Sequence, residues 1–272
     1  MSTRMRDAML SRLAELRYEP TEKRVRAVLG DQTVVDTTRA VLVWEPRRVV
    51  PSYAVPVDEV RAELVESTSD RPDDGRPVLH PGIPFAVHST LGEPYGVRLD
   101  KLDRDGAAFR PADAALDDLV VLDFQAFDAW FEEDEPIHSH PRDPYHRVDV
   151  RPSSRHVRVE VGGELLAEST RPTLVFETSL PTRFYLPLED VRAELLPSDR
   201  VTYCPYKGRA TYWSTAARPH LLWTYREPLP DAALLAGLVA FFDELVDVTV
   251  DGVPRPRPDT DFAKAIVEES GM

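Results

Sequence analysis

The chain has 272 residues, 42% hydrophobic and 29% charged, with a formal net charge of −14. That is enough for one large domain or two ordinary ones, and the negative sign argues against nucleic acid or an anionic membrane as main partner. No run of eighteen uncharged apolar residues occurs, which excludes a transmembrane helix, and charges interrupt every short apolar run of the opening MSTRMRDAMLSRLAELRYEP, so no signal-peptide core is expected there.

In chain order, the first predicted element is an amphipathic helix within 1–19, where Met5, Met9, Leu10, Leu13 and Leu16 fall at helical spacing. Then comes VRAVLGDQTVVDTTRAVLVWE (25–45), which recurs as VRVEVGGELLAESTRPTLVFE (157–177). Next, YAVPVDEVRAEL (53–64) recurs as FYLPLEDVRAEL (184–195). A weaker third block pairs Leu119, Val120 and Asp128 with Leu238, Val239 and Asp247, so the first copy carries extra residues between its second and third blocks. The chain is thus an internal duplication. The expected boundaries are a first β-rich domain over 20–135, a Pro-rich linker over 136–154, a second β-rich domain over 155–258 and a tail over 259–272.

Within the second copy, Val157, Val159 and Val161 alternate with Arg158 and Glu160, the period of a half-buried strand. Gly162-Gly163 suits a two-residue hairpin turn, and Glu164–Ala167 returns antiparallel. Thr173–Glu177, Phe184–Leu186 and Val246–Val250 read as further strands. Pro230-Asp231 reads as the start of a helix through Leu234, Leu235, Leu238, Phe241 and Phe242, with a counterpart near Leu119–Phe127. The expected class is mainly β (α+β): two tandem small domains, each with one main helix.

The second copy resembles domain-of-unknown-function family 427 through STR (169–171), FET (176–178), FYLP (184–187), DVR (190–192) and above all CPYKGRATYW (204–213). The first copy resembles the amino-terminal partner of its two-domain members through VWEPRRVVPSYAVP (43–56), LHPGIPFAVH (79–88) and HPRDPYHRVD (140–149). The resemblance implies a β-tent (Mss4-like) fold and no established activity. A nucleotidyltransferase-like label attaches to the family, but the sequence has no Gly-Ser loop followed by paired Asp residues to hold two Mg²⁺ ions. Relatives by topology hold zinc between two C-x-x-C pairs. This chain has one cysteine, so a tetrathiolate zinc is excluded.

That cysteine, Cys204, cannot form an internal disulfide, which fits a reducing, cytoplasmic setting. Cys204 and Lys207 are the candidate catalytic residues, because a lysine three positions from a thiol can favour the thiolate. Tyr206, Tyr212 and Trp213 could line an aromatic pocket beside them, or fill core. His220 is the nearest histidine in the chain to serve the thiol. Arg39 with Glu45 recurs as Arg171 with Glu177 at the same spacing, which reads as a structural ion pair or a shared ligand contact. His138, His140 and His146, with Asp143, form a dense cluster, read as ordered linker before metal site. His80 and His88 read as structural, and Glu132–Glu135 as a solvated face.

The expected function is therefore small-molecule binding in an aromatic pocket of the second domain, involving Tyr206, Lys207, Tyr212, Trp213, Arg171 and Glu177. The alternative is an enzyme of small-molecule metabolism using Cys204 or Lys207. No cofactor or metal is called for, and the sequence defines no oligomeric state.

Overall fold

The computed structural model describes residues 2–69, 71–216 and 218–269, and the chain divides into two compact units, Met1–Asp143 and Pro144–Met272. Unit 1 opens with a short helix α1 (Met5–Leu10). It continues with strands β1 (Arg17–Pro20), β2 (Val25–Leu29), β3 (Gln32–Thr37), β4 (Val41–Trp44), β5 (Ser52–Pro56) and β6 (Glu63–Glu66). Then follow β7 (Gly92–Leu99), β8 (Leu102–Pro111), β9 (Leu119–Leu122), β10 (Ala129–Glu132) and β11 (Glu135–Ile137). Unit 2 begins with β12 (Val148–Pro152), β13 (Val157–Val161), β14 (Glu164–Ser169), β15 (Thr173–Glu177), β16 (Arg183–Pro187) and β17 (Leu196–Cys204). It ends with β18 (Gly208–Ser214), β19 (Leu222–Tyr225), β20 (Leu238–Phe241), β21 (Asp247–Val250), β22 (Val253–Pro254) and helix α2 (Asp261–Glu269).

The duplication is complete at the level of topology. Unit 1 has a seven-stranded sheet ordered β1-β4-β5-β9-β8-β7-β6 and a four-stranded sheet ordered β11-β10-β2-β3. Unit 2 repeats both as β12-β15-β16-β20-β19-β18-β17 and β14-β13-β21-β22. Every strand pairing is antiparallel. The protein is mainly β, with several antiparallel sheets and few helices. Gly162 and Gly163 both adopt positive φ, 58° and 86°, at the β13–β14 turn, where a two-residue hairpin of matching twist needs them.

Each unit buries one core between its two sheets. In unit 2, Val157, Val159, Leu166, Leu174, Phe184, Leu186, Leu222, Val239, Phe241 and Val248 meet there. Because strand side chains alternate, the neighbours Val175, Tyr185, Trp223, Ala240 and Phe242 point to the far face of the larger sheet and form a second apolar layer.

This two-sided burial overturns the helices expected in each unit. Leu119–Leu122 and Leu238–Phe241 are β9 and β20, central strands of the larger sheets. A strand buried on both faces is continuously apolar and imitates helical spacing over a few residues. What helix exists nearby is 3-10: Phe124–Ala126, and Pro230–Leu235 with a kink at Ala232. At the N-terminus the expected helix shrinks to α1, and Arg17–Pro20 pairs with β4. The stretch 136–154, read as a linker, contains the end of β11 and all of β12, an edge strand of unit 2. The tail read at 259–272 carries α2. No helix among the described residues is long and apolar enough to cross a membrane.

Candidate functional site

The larger sheet of unit 2 has a carboxylate buried on its far face. Glu177 ends β15, two positions beyond the far-face residue Val175, and its side chain is 7% exposed. Val148 of β12 lies directly opposite it, and His146, two residues before Val148, shares that face. His146 Nε2 sits 3.0 Å from Glu177 Oε1, and Lys207 Nζ donates to Oε2 at 2.5 Å. The His146 ring stacks on Tyr206 with centroids 4.5 Å apart.

Lys207 comes from the tight turn joining β17 to β18, the CPYKG segment, whose Cys204 and Gly208 face each other across the hairpin. Gly208 has φ +95°, a backbone conformation that residues with a side chain rarely adopt, so the turn favours glycine. Three strands, β16, β20 and β19, lie between β15 and β18 in the sheet order. A flat sheet would hold those two strands about 19 Å apart, beyond a lysine's reach. The Glu177–Lys207 contact therefore shows that the sheet bends toward this face.

Around the pair lie Tyr185, Tyr212, Trp223, Tyr225 and Phe242, each less than one-tenth exposed, with Cys204 partly buried beside them. Trp223 Nε1 donates to the Tyr185 hydroxyl at 3.0 Å, and Tyr212 Oη and Thr202 Oγ1 lie 2.8 Å apart. Burial pushes the Glu177 carboxyl up, but the Lys207 ammonium and His146 outweigh it and hold it at about 2. Burial pulls the Lys207 ammonium down, and Cys204, Glu177 and Tyr185 more than reverse this, so it stays above the usual lysine range. Lys207 is thus a fixed cation and a poor nucleophile, since nucleophilic attack needs the free amine.

The same position in unit 1 is built differently. Glu45, the counterpart of Glu177, follows β4 and is 2% exposed. Its oxygens receive the Ser89 backbone N–H at 2.8 Å and lie 3.1 Å from His88 Nδ1, with Arg48 at 3.6 Å. His88 and Ser89 belong to the long β6–β7 connection, which stands where unit 2 has only Pro205–Lys207. His88 lies flat on Phe109 at 3.6 Å with Phe85 edge-on at 5.1 Å, and Arg48 ties the segment down through the carbonyls of Pro84, Phe85 and Val87. Pairing in the sheets makes Ala54 the counterpart of Tyr185, and Phe109 that of Trp223. Unit 1 therefore seals its far face with its own chain. Unit 2 packs the equivalent face with hydroxylated aromatics and the lysine turn, beneath Ala232 and Leu235 of the 3-10 segment Pro230–Leu235.

Several residues grouped by the sequence are separated by the structure. Arg171 does not pair with Glu177, nor Arg39 with Glu45. Arg171 is exposed and bonds Glu189 and Asp190 at 2.9 and 3.2 Å, and Arg39 bonds Glu59 and Asp58 at 2.7 and 3.1 Å. Six residues of extended strand span about 20 Å, so ends of one strand cannot form an ion pair. The true partners are the acidic pairs of the second repeated block. Trp213 packs toward the inter-sheet core, opposite in face to Tyr212. His220 sits 2.7 Å from Ser198 Oγ, six residues up β17 from Cys204, and so does not serve the thiol. His146 is committed to Glu177 and His140 Nδ1 lies 2.7 Å from the Pro141 carbonyl. Among the described residues no group of three or more His, Cys, Asp or Glu could hold a metal ion.

One buried charge cluster escaped the sequence reading. Arg183 Nη atoms grip both oxygens of Glu244 at 2.8 and 2.6 Å, with Asp243 at 3.8 Å. Asp243 borders a small cleft with Pro181, Thr182, Val246 and Arg255. Burial raises its carboxyl to about 6, against the pull of Arg183. A carboxyl raised in the folded state stabilises the protein fully below its unfolded pKa, and that contribution is lost as pH rises through about 6. Asp243→Asn is therefore expected to flatten the pH dependence of stability between pH 4 and 6. It should also leave the protein roughly 1–2 kcal/mol more stable than wild type at pH 7.5, measured by urea unfolding across that range.

Two tandem units, each an antiparallel seven-stranded sheet on a four-stranded one with a buried carboxylate on the far face of the larger, define the architectural class. The chain belongs to the family described as Domain of unknown function (DUF427), whose model matches residues 17–73 and 149–252. The two segments start at equivalent points of the repeat, β1 and β12. The first ends inside the β6–β7 connection, where unit 1 departs from unit 2. No curated protein matches the chain.

Proposed function

We propose that the far face of the larger sheet in unit 2 is a small-molecule-binding site, formed by Tyr185, Tyr206, Lys207, Tyr212 and Tyr225 over the Glu177–His146 pair. The observation that carries this is the contrast between the two copies. Unit 1 closes its far face with the long β6–β7 connection, while unit 2, beneath Ala232 and Leu235 of its 3-10 segment, places there an ammonium, a thiol and four phenols. A buried ion pair is weak support for stability, and apolar residues of the same volume do as well or better. The polar lining therefore calls for a reason beyond folding. The two-sheet architecture fits the β-tent (Mss4-like) fold, and the lone cysteine fits a cytoplasmic setting. Thiol chemistry at Cys204 is the second reading, favoured by the lysine ammonium held close to it.

The chain's only cysteine makes the site its own reporter. Small aromatic fragments are screened by ligand-observed NMR on the full chain, and those that bind are tested for their effect on alkylation of Cys204 by iodoacetamide. Fragments seated on this face are expected to slow alkylation severalfold, and Cys204→Ser is expected to retain their binding. Fragments that bind with no effect on Cys204, or no binding at all, would exclude the site.

A further inference from the structure

Beside the Arg183 cluster, unit 2 opens a cleft lined by Pro181 and Thr182 of the β15–β16 connection, by Asp243, Val246 and Val248, and by the 255–258 segment after β22. The strand pairings make Ser52 and Phe124 the unit 1 counterparts of Arg183 and Asp243, and Phe124 stacks on Trp130 at 5.3 Å. Unit 2 thus sets a carboxyl where unit 1 sets a core ring. The cleft encloses about 270 Å³ including its mouth. That is below the usual range for a drug-sized ligand, so it has room for one head group and not for a large cofactor.

Two charges at this cleft are unspent. Asp243 is 8% exposed and borders the cleft, and its carboxyl makes no hydrogen bond with any described residue, Arg183 coming only to 3.8 Å. Arg255 is exposed and lies over the Phe184 ring at 5.3 Å, and its guanidinium bonds no described residue. The remaining charges are taken: Arg183 grips Glu244, and Arg257 bonds Asp247 at 2.8 Å. Arg255 and Asp243 attract one another without forming an ion pair. A group lying between them must accept from the guanidinium and donate to the carboxylate. A carboxylate guest has acceptors only and meets Asp243, whereas an ammonium has donors only and meets Arg255 and Arg183. In a partly desolvated cleft either repulsion is costly. A primary carboxamide carries acceptor and donors in one plane without charge. We propose that this cleft binds the primary carboxamide of a small neutral molecule, its oxygen toward Arg255, its NH₂ toward Asp243 and its apolar body against Pro181, Pro256 and Pro258. The site does not depend on the aromatic face of the same unit.

The test titrates the full-length protein with benzamide, acetophenone, benzoate and benzylamine, read on its backbone amide NMR signals. Benzamide should shift the signals of Thr182, Asp243 and Val246. At pH 7.5 it is expected to bind at least about tenfold more tightly than benzoate or benzylamine, and at least about threefold more tightly than acetophenone, which lacks the donor. Asp243 gains its proton near pH 6, and Arg183, Glu244 and Arg255 are the charges that face it. At pH 5 the carboxyl no longer repels benzoate, so the preference for benzamide over benzoate should shrink at least about threefold. In Asp243→Asn that preference should be the same at both pH values. Arg255→Met keeps an apolar stem over Phe184 and should weaken benzamide about tenfold. Tighter benzoate or benzylamine at pH 7.5, or benzamide no better than acetophenone, would overturn the carboxamide assignment. So would a preference that ignores pH in wild type or still follows it in Asp243→Asn, and so would an Arg255→Met variant that binds benzamide as wild type does. Failure of benzamide to bind, or shifts confined to residues outside 181–183 and 243–258, would overturn the site itself.

Discussion

Lys207→Met is expected to destabilise unit 2 by about 3–5 kcal/mol, the usual cost of leaving one member of a buried ion pair unpaired. Lys207 and Glu177 are both almost fully buried, so little solvent screens the loss. Hydrogen exchange on the full chain, which resolves local stability, should show the loss in β12, β15 and β18 and not in unit 1. The double variant Lys207→Met, Glu177→Leu should recover most of it, since no charge is then left buried. The pH dependence follows. Glu177 is held at about 2 in the folded protein against an ordinary 4.5. A lowered carboxyl contributes stability that is present above the unfolded pKa and lost as pH falls toward the folded value. The shift is worth roughly 3 kcal/mol, and Lys207→Met should abolish most of that acid-side step. A single variant with less than about 1 kcal/mol of effect, the range of exposed pairs, would mean the pair is solvated.

Arg183→Leu is the second large effect. Arg183 alone bridges Glu244 and Asp243, and the side chains of all three are about one-tenth exposed or less. Burial lowers the guanidinium pKa, and Asp243 and Glu244 more than compensate, so it remains charged. Removing it leaves Glu244 without its bonded cation and Asp243 with only Arg255 acting on it, at a cost of about 3–5 kcal/mol at pH 8. Both carboxyls then gain protons more readily in the folded state. The deficit relative to wild type should therefore shrink as pH falls from 8 to 5, where protonation relieves the uncompensated charge. Thermal unfolding at the two pH values checks this. A deficit that does not change with pH would mean the loss is one of packing against Trp223, over which the guanidinium sits at 5.7 Å.

How far the sequence spoke depended on whether a feature was local. The duplication was readable because repeated blocks preserve strand periodicity: Val157, Val159 and Val161 alternate, and Gly162-Gly163 supplies the positive φ of the hairpin. The strand at 238–241 was not, because Val239 and Phe241 face one core while Ala240 and the following Phe242 face another. Periodicity that distinguishes strand from helix vanishes when both faces are apolar. The recurrent Arg171 was visible, but its partner was mistaken. The signal for Glu189-Asp190 lay in the second repeated block, where Asp58-Glu59 stands in the first copy.

Of the candidate site, CPYKG was legible as a motif and Glu177 as a recurrent acid, but not their meeting. Lys207 and Glu177 lie thirty residues apart, on elements separated by three strands, and only the bending of the sheet joins them. His146 carried no sign in composition that it would leave the 138–146 cluster for Glu177. Tyr185 and Tyr225 could be noticed only against Ala54 and the sealed face of unit 1, a comparison that needs three dimensions.

The most direct measurement is a crystal structure of the full chain soaked with a fragment that slows Cys204 alkylation. The account predicts the fragment on the far face of the larger sheet of unit 2, within hydrogen-bonding distance of Lys207 or Tyr225, with the equivalent face of unit 1 still closed by Phe85 and His88. A fragment seated only elsewhere on the chain, with the Tyr185–Lys207–Tyr225 face unchanged, would contradict it.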